Sequence, residues 1–186
     1  KSFLNVTTDK VYDNKEQEEG YVEEDFLDGY DPYSNSKSCS ELVTHSYKKS
    51  FLSDLPVSTA RAGNVIGGGD FAKDRIIPDC VRAAIANKPV VIRNPDSIRP
   101  FQHVLEPLFI YLEIVMKQAE NREKHEGYYN VGPDDGDCIN AKTLVESFKR
   151  SWDEGFDFKI RSDNGPHEAG FLKLNCNKLK SVFDWK

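Results

Sequence analysis

Tyr33 and Lys37 stand four residues apart in the run Tyr33-Ser34-Asn35-Ser36-Lys37. On a helix that spacing puts both side chains on one face, about 6 Å apart. A free phenol, with a pKa of about 10, is too weak an acid to supply a base at neutral pH. An adjacent ammonium stabilises the phenolate, so the pair can take a proton from a hydroxyl as a general base. Taken alone, it also reads as an ordinary surface pair. A second group upstream, Thr8-Asp9-Lys10, offers a hydroxyl, a carboxyl and an ammonium in a row. A carboxyl at a partly buried strand end can have its pKa raised enough to donate a proton.

These groups need elements to hold them. Phe3 to Val6 reads as a short buried strand running into Thr7-Thr8-Asp9-Lys10. The acid-rich stretch Asp13 to Asp31 is expected to be a surface loop, too charged to pack. From Tyr33 to about Phe51 the pattern is helical, with Leu42, Val43, Tyr47 and Phe51 on one face. Val57 to Ala62 is a second strand that delivers Gly63-Asn64 to the same sheet edge as Asp9. In an open parallel sheet that edge is where ligands bind. Gly67-Gly68-Gly69-Asp70 is a loop. Ile76 to Asn87 is a helix with Pro78 in its first turn, and Pro89 to Arg93 is a strand. Pro107 opens a helix whose stripe is Leu108, Leu112, Val115 and Ala119. Tyr128 to Val131 is a strand, and Asn140 caps a helix from Ala141 to Trp152. Short strands at Phe158–Ile160 and Leu172–Leu174 and a last helical turn at Lys178–Phe183 complete the pattern. Alternating strands and helices give an α/β class.

Composition excludes other classes. With 38% hydrophobic and 30% charged residues the chain suits a globular protein rather than a disordered one. A net charge of -6 argues against nucleic acid as partner. No apolar run approaches the roughly 20 residues of a membrane helix. Cys39, Cys80, Cys138 and Cys176 are far apart in sequence, without zinc-site spacing, and read as reduced, mostly buried thiols of a cytoplasmic protein. The four histidines are isolated, so no metal role is expected; His103 and His167 read as core or hinge hydrogen-bonding residues. Met116 is the only methionine, and the chain begins at Lys1, which reads as a processed product or a fragment.

Thr8-Asp9-Lys10, the Tyr33/Lys37 pair and Arg61-Ala62-Gly63-Asn64 together resemble the second half of an extended short-chain dehydrogenase/reductase. RAGNVIGGGDFAKDRIIPD (Arg61–Asp79), IRPFQHVLEPL (Ile98–Leu108), YYNVGP (Tyr128–Pro133) and HEAGFLKLN (His167–Asn175) resemble, within that superfamily, the CDP-glucose 4,6-dehydratases. Phe71, Phe101 and Asn175 depart conservatively from that pattern. The glycine-rich segment that cradles a dinucleotide is not in this sequence.

The resemblance implies the C-terminal part of a Rossmann-like doubly wound parallel sheet plus a smaller α/β lobe. Residues 1–65 would be the second half of the Rossmann-like domain, and residues 66–186 mainly a nucleotide-sugar-binding lobe. It implies tightly held NAD, with Thr7, Tyr33 and Lys37 beside it, and CDP-glucose as substrate. In the implied reaction Tyr33 deprotonates the sugar 4-hydroxyl while C4 loses hydride, water leaves across C5–C6, and the hydride returns to C6. Thr8 would bond the 4-oxygen and Asp9 would protonate the departing 6-hydroxyl. Lys10 would either remove the C5 proton or stabilise an enolate. Asn64, Arg75 and Arg99, with Gln102 and Asn130, would contact the nucleotide sugar; a lone arginine also reads as a surface residue. The product would feed deoxysugar and O-antigen-type polysaccharide synthesis. A homodimer is implied, with the helix after Tyr33 in its interface. An epimerase or decarboxylase on the same scaffold is the rival enzyme, disfavoured by Asp9. A non-catalytic fragment is the rival of another class, and the chain alone is expected to be inactive.

Overall fold

The alternating strand and helix signals resolve into alternating elements in a computed structural model, which describes residues 1–152, 155–161 and 170–185. In chain order these are β1 (Phe3–Thr8), α1 (Pro32–Phe51), β2 (Val57–Ala62), β3 (Val65–Ile66), α2 (Ile76–Ile85), β4 (Val90–Ile92), β5 (Ile98–Arg99) and β6 (Gln102–His103). Then follow α3 (Leu105–Glu120), α4 (Arg122–His125), β7 (Tyr128–Val131), β8 (Ile139–Asn140), α5 (Ala141–Ser151), β9 (Phe158–Ile160) and α6 (Asn177–Phe183). Asp9–Val11 forms a short 3-10 turn directly after β1. The expected strand Leu172–Leu174 is instead met by isolated bridges, Tyr21 to Leu174 and Ile98 to Phe171.

Among the described residues the central sheet is parallel, in the order β1-β2-β7. β2 is buried along its whole length, as a strand covered on both faces must be. Alternation along the strand sorts its side chains into two chemically different layers. Ala60 and Ala62, with Tyr129 and Val131 of β7, pack against Ile110 and Ile114 of α3 and Leu179 of α6. On the opposite face Thr59 and Arg61 meet α1 through its Glu41 carboxylate. β1 follows the same rule: Asn5 bonds Ser40 and Thr44 of α1, and Thr7 bonds Glu41.

The α1 layer reverses the usual amphipathic arrangement. The helix starts where it does because Asp31, in extended conformation, accepts hydrogen bonds from Tyr33 N and Ser34 N, and Pro32 occupies the first turn. Its buried residues are Ser34, Ser38 and Glu41. Leu42, Val43, Tyr47 and Phe51 face outward, with exposures of 57, 55, 55 and 75%. On α3 the buried residues are Pro107, Ile110, Ile114 and Gln118, not the expected Leu108/Leu112/Val115/Ala119 stripe. Leu108, Phe109, Leu112 and Met116 are exposed.

A separate apolar cluster forms among later elements. α2, β4, α5 and β9 enclose Cys80, Ala84, Val90, Ile92, Ala141, Val145 and Phe156. Asn140 caps α5 as expected, its side chain accepting from Thr143 N at 2.7 Å. α3 and β7 instead join the central sheet. The acid-rich stretch before α1 also packs, contrary to expectation. Tyr12 and Tyr21 stack at 5.0 Å within a cluster containing Val11, Leu172, Leu174 and Cys176, and Glu23 is buried. Tyr21 and Glu23 point in, while Val22, Phe26 and Tyr30 are exposed.

Two apolar helix faces are thus bare, and no described strand pairs with the outer edge of β1. Such patches and edges drive association. The 186-residue chain by itself is expected to self-associate. Size-exclusion chromatography with light scattering checks this, and a sharp monomer at micromolar concentration contradicts it.

Candidate active site

Three segments meet at the C-terminal end of β1. The first is the strand tip itself. Thr8 and Asp9 are buried, at 8% and 2% exposure, while Lys10 is exposed. Thr8 Oγ1 donates to Asp9 Oδ1 at 2.9 Å and lies 3.4 Å from Lys10 N, so the hydroxyl orients the carboxylate and caps the turn. Asp9 Oδ2 is buried with no hydrogen-bond partner among the described residues. Burial pushes the Asp9 carboxyl up to about 6, against the opposing pull of Thr8, Lys10 and Arg99. A carboxyl so placed keeps its proton to a higher pH than a free one, and its second oxygen is buried and unbonded.

The second segment is the start of α1. Ser38 donates to Val11 O at 2.7 Å, which pins the first turns of α1 against the turn that carries Asp9. Gly29 allows this approach, because a Cβ there would sit 2.4 Å from the Ser34 carbonyl carbon. Lys10 helps hold Asp31, the α1 cap, below the usual carboxylate range, after the larger effect of the Ser34 hydrogen bonds. Tyr33 is 55% exposed and Lys37 half-buried, on the helical face that continues to Glu41.

The third segment joins the end of β2 to β5 and β6. Gly63 lies so close to Pro100 that a Cβ would meet the ring at 2.5 Å, and Gln102 N donates to Asn64 O at 2.9 Å. This contact brings β5 up to the strand tips. Arg99 Nη1 is fixed by the Ile98 carbonyl at 2.8 Å, and its cation acts on Asp9. Arg75 is exposed at the N-cap of α2, a helix start without a side-chain cap.

Three of the expected contacts are hydrogen-bonded within the fold. Asn130 is fully buried, accepting from the Tyr12 hydroxyl at 2.6 Å and donating to Tyr21 O at 2.7 Å and Asn175 O at 3.2 Å. Its amide is engaged inside the fold. Gln102 likewise donates to Val131 O at 3.1 Å, tying β6 to β7. Thr7 Oγ1 donates to Glu41 Oε1 at 2.5 Å. His103 is exposed and accepts from Leu105 N at the start of α3, a hinge bond as expected; His167 lies outside the described residues. No cluster of metal-ligating residues occurs among the described residues. All four cysteines are free, and burial pushes the Cys80 and Cys176 thiols up to about 12, leaving both inert.

Sequence reasoning missed the network beneath the site. Glu41 and Arg61 form a buried ion pair. Arg61 Nη1 also reaches the Tyr12 hydroxyl at 2.8 Å and Glu23 O at 2.9 Å. The available signal was the spacing Tyr33, Lys37, Glu41, which repeats at one helical turn.

A model of the NAD dependent epimerase/dehydratase family matches residues 1–132. The chain belongs to that family. It is 43% identical over 192 residues to CDP-glucose 4,6-dehydratase of Salmonella typhimurium, covering all of this chain and 54% of that protein. It is 28% identical over 144 residues to dTDP-D-glucose 4,6-dehydratase of Dictyostelium discoideum, covering 72% of this chain and 32% of that one. The chain therefore spans about half the length, or less, of these curated relatives. Among solved structures, dTDP-glucose 4,6-dehydratase from Bacillus anthracis in complex with NAD superposes with a TM-score of 0.76 at 21% identity, covering 100% of this chain and 56% of that one. UDP-glucose 4-epimerase from Thermus thermophilus with NAD gives 0.80 at 16% identity, covering 100% and 58%. At those identities the likeness shows the fold: the central sheet of this family member is part of a Rossmann-type α/β fold.

Proposed function

We propose that the full-length protein carrying this segment is a CDP-glucose 4,6-dehydratase. The observation that carries this reading is Asp9, a buried carboxyl raised to about 6 with one unbonded oxygen at the strand tip. An epimerase eliminates no water and has no use for such an acid. The 43% identity over the whole chain to the Salmonella enzyme supports CDP-glucose as the substrate.

Each group then has a task. The Tyr33 phenolate oxygen takes the proton of the sugar 4-hydroxyl, with the Lys37 ammonium beside it. Thr8 Oγ1, which donates to Asp9 while Asp9 is ionised, is released to donate to the sugar 4-oxygen once Asp9 is protonated. The 4-ketone acidifies the C5 proton, and Lys10, on the exposed side of the same turn, receives it or stabilises the enolate. Asp9 Oδ2 delivers its proton to the departing 6-hydroxyl, which leaves as water. NAD, when bound, supplies the hydride acceptor and donor for C4 and C6. The open end of β1, with Tyr33 and Lys37 on its rim, fits the nicotinamide end of that cofactor, and those two residues would hold it. Asn64, Arg75 and Arg99 line the nucleotide-sugar side, the arginines suited to a diphosphate.

The exposed apolar face of α1 supports a homodimer built on that helix. Free thiols and the absence, among the described residues, of a helix able to cross a membrane support a cytoplasmic enzyme. Full-length protein incubated with CDP-glucose is expected to yield a 4-keto-6-deoxy sugar, read as an absorbance band in alkali. Formation of CDP-galactose instead would make it an epimerase.

A further inference from the structure

We propose that Glu41 is a positioning residue: it fixes the angular setting of α1 and thereby holds Tyr33 and Lys37 against the strand tips. The inference rests on the dehydratase reading for its kinetic consequence and on geometry for its substance.

Tyr33, Lys37 and Glu41 follow one another at one-turn intervals along α1. Two of the three are at the proposed chemistry, and the third is locked to the sheet. The Glu41 carboxylate, 1% exposed, accepts four hydrogen bonds from two strands. Thr7 Oγ1 of β1 lies at 2.5 Å, and from β2 Thr59 Oγ1, Arg61 Nε and Arg61 Nη2 lie at 2.8, 3.0 and 3.1 Å. Arg61 is itself anchored to Tyr12, which lies on Asn130 of β7. Its guanidinium also sits over the Tyr12 ring at 5.1 Å and the Tyr128 ring at 5.7 Å. The helix is therefore referenced to all three strands of the sheet through one side chain.

Neutral bonds also hold α1, from Ser38 to Val11 O and from Asn5 to Ser40 and Thr44, but Glu41 is its one buried charged residue among the described residues. The other fully buried residues of α1 are Ser34 and Ser38, and the large apolar residues face outward. Apolar surfaces can slide past one another, whereas a forked, charge-assisted pair has one good geometry. A tyrosine hydroxyl stands roughly 8 Å from its helix axis, so a rotation of about 20° displaces it by about 3 Å. A misplacement of about 1 Å can cost about 100-fold in rate.

The test uses the full-length protein with NAD and compares Thr7→Val/Thr59→Val with Thr7→Ser/Thr59→Ser. Valine keeps the shape and removes the hydroxyl; serine keeps the hydroxyl. The valine pair is expected to lower kcat about 10-fold with KM for CDP-glucose within about 2-fold, and the serine pair to stay near the parent. Glu41→Gln, if it folds, is expected to lose about 100-fold in kcat. A folded valine pair with parental kcat overturns the proposal. So does equal loss in the serine pair, or a loss carried by KM. Hydrogen exchange supplies a readout that needs no turnover: the valine pair is expected to exchange faster along α1, with α3 unchanged. Unaltered α1 protection overturns the proposal even if the parent proves inert on CDP-glucose, an outcome that would by itself sink only the dehydratase reading.

Discussion

Asp9→Asn is expected to make the full-length protein more stable at neutral pH and nearly inert. The Asp9 carboxyl is raised from 3.8 to about 6, chiefly by burial. A carboxyl raised in the folded state binds its proton more tightly there than in the unfolded chain, so folding loses stability as pH rises from the unfolded to the folded value. Above about pH 6 the ionised, partly unbonded carboxylate costs the fold its full penalty, on the order of 3 kcal/mol. Asparagine has no charge to desolvate. The advantage of the variant should be small near pH 4, grow with rising pH and level off above about 6. Denaturant midpoints measured across that range check it. The same substitution removes the acid for the departing 6-hydroxyl, and turnover should fall by about 10²–10⁴-fold. A variant that is less stable than the parent at pH 8, or that keeps a tenth of its turnover, contradicts this account.

The second large effect is read on stability. Arg61→Met is expected to destabilise the protein by about 3–5 kcal/mol, because it leaves a buried carboxylate without its counter-charge. Arg61 is 2% exposed and contacts Glu41, Tyr12 and the Glu23 carbonyl at once. Lysine carries the charge but not the fork, so Arg61→Lys should recover only part of the loss. The double variant Glu41→Gln/Arg61→Met removes both charges and should be less destabilised than Arg61→Met alone, a coupling that a double-mutant cycle measures. Urea midpoints rank the three. If the double variant is worse than Arg61→Met, the pair is not the electrostatic unit described.

What could be read without coordinates was what periodicity and punctuation encode. β2, β7 and β9 fall where β-branched and aromatic runs placed them, and α5 starts at its Asn140 cap. Asp9, Tyr33 and Lys37 were legible as chemical types at strand and helix ends. Three things were not. The pairing of Glu41 with Arg61 joins residues 20 apart in sequence, and nothing local announces it. The acid-rich segment before α1 looked too charged to pack, because the count of charges hides Tyr12 and Tyr21 spaced to meet each other. Asn130 and Gln102 read as ligand-facing amides, and residue type alone does not show their bonds to internal carbonyls.

The sheet is clad in two unlike materials, and they answer temperature differently. Burying hydrocarbon lowers heat capacity, while burying polar groups raises it. Contacts such as Ile110 and Ile114 against Ala60 and Tyr129 lose strength on cooling. The hydroxyl, carboxylate and guanidinium contacts on the other face do not share that weakness. Chilling therefore loosens one cladding and spares the other, and the face that stays firm in the cold is the one that carries Tyr33.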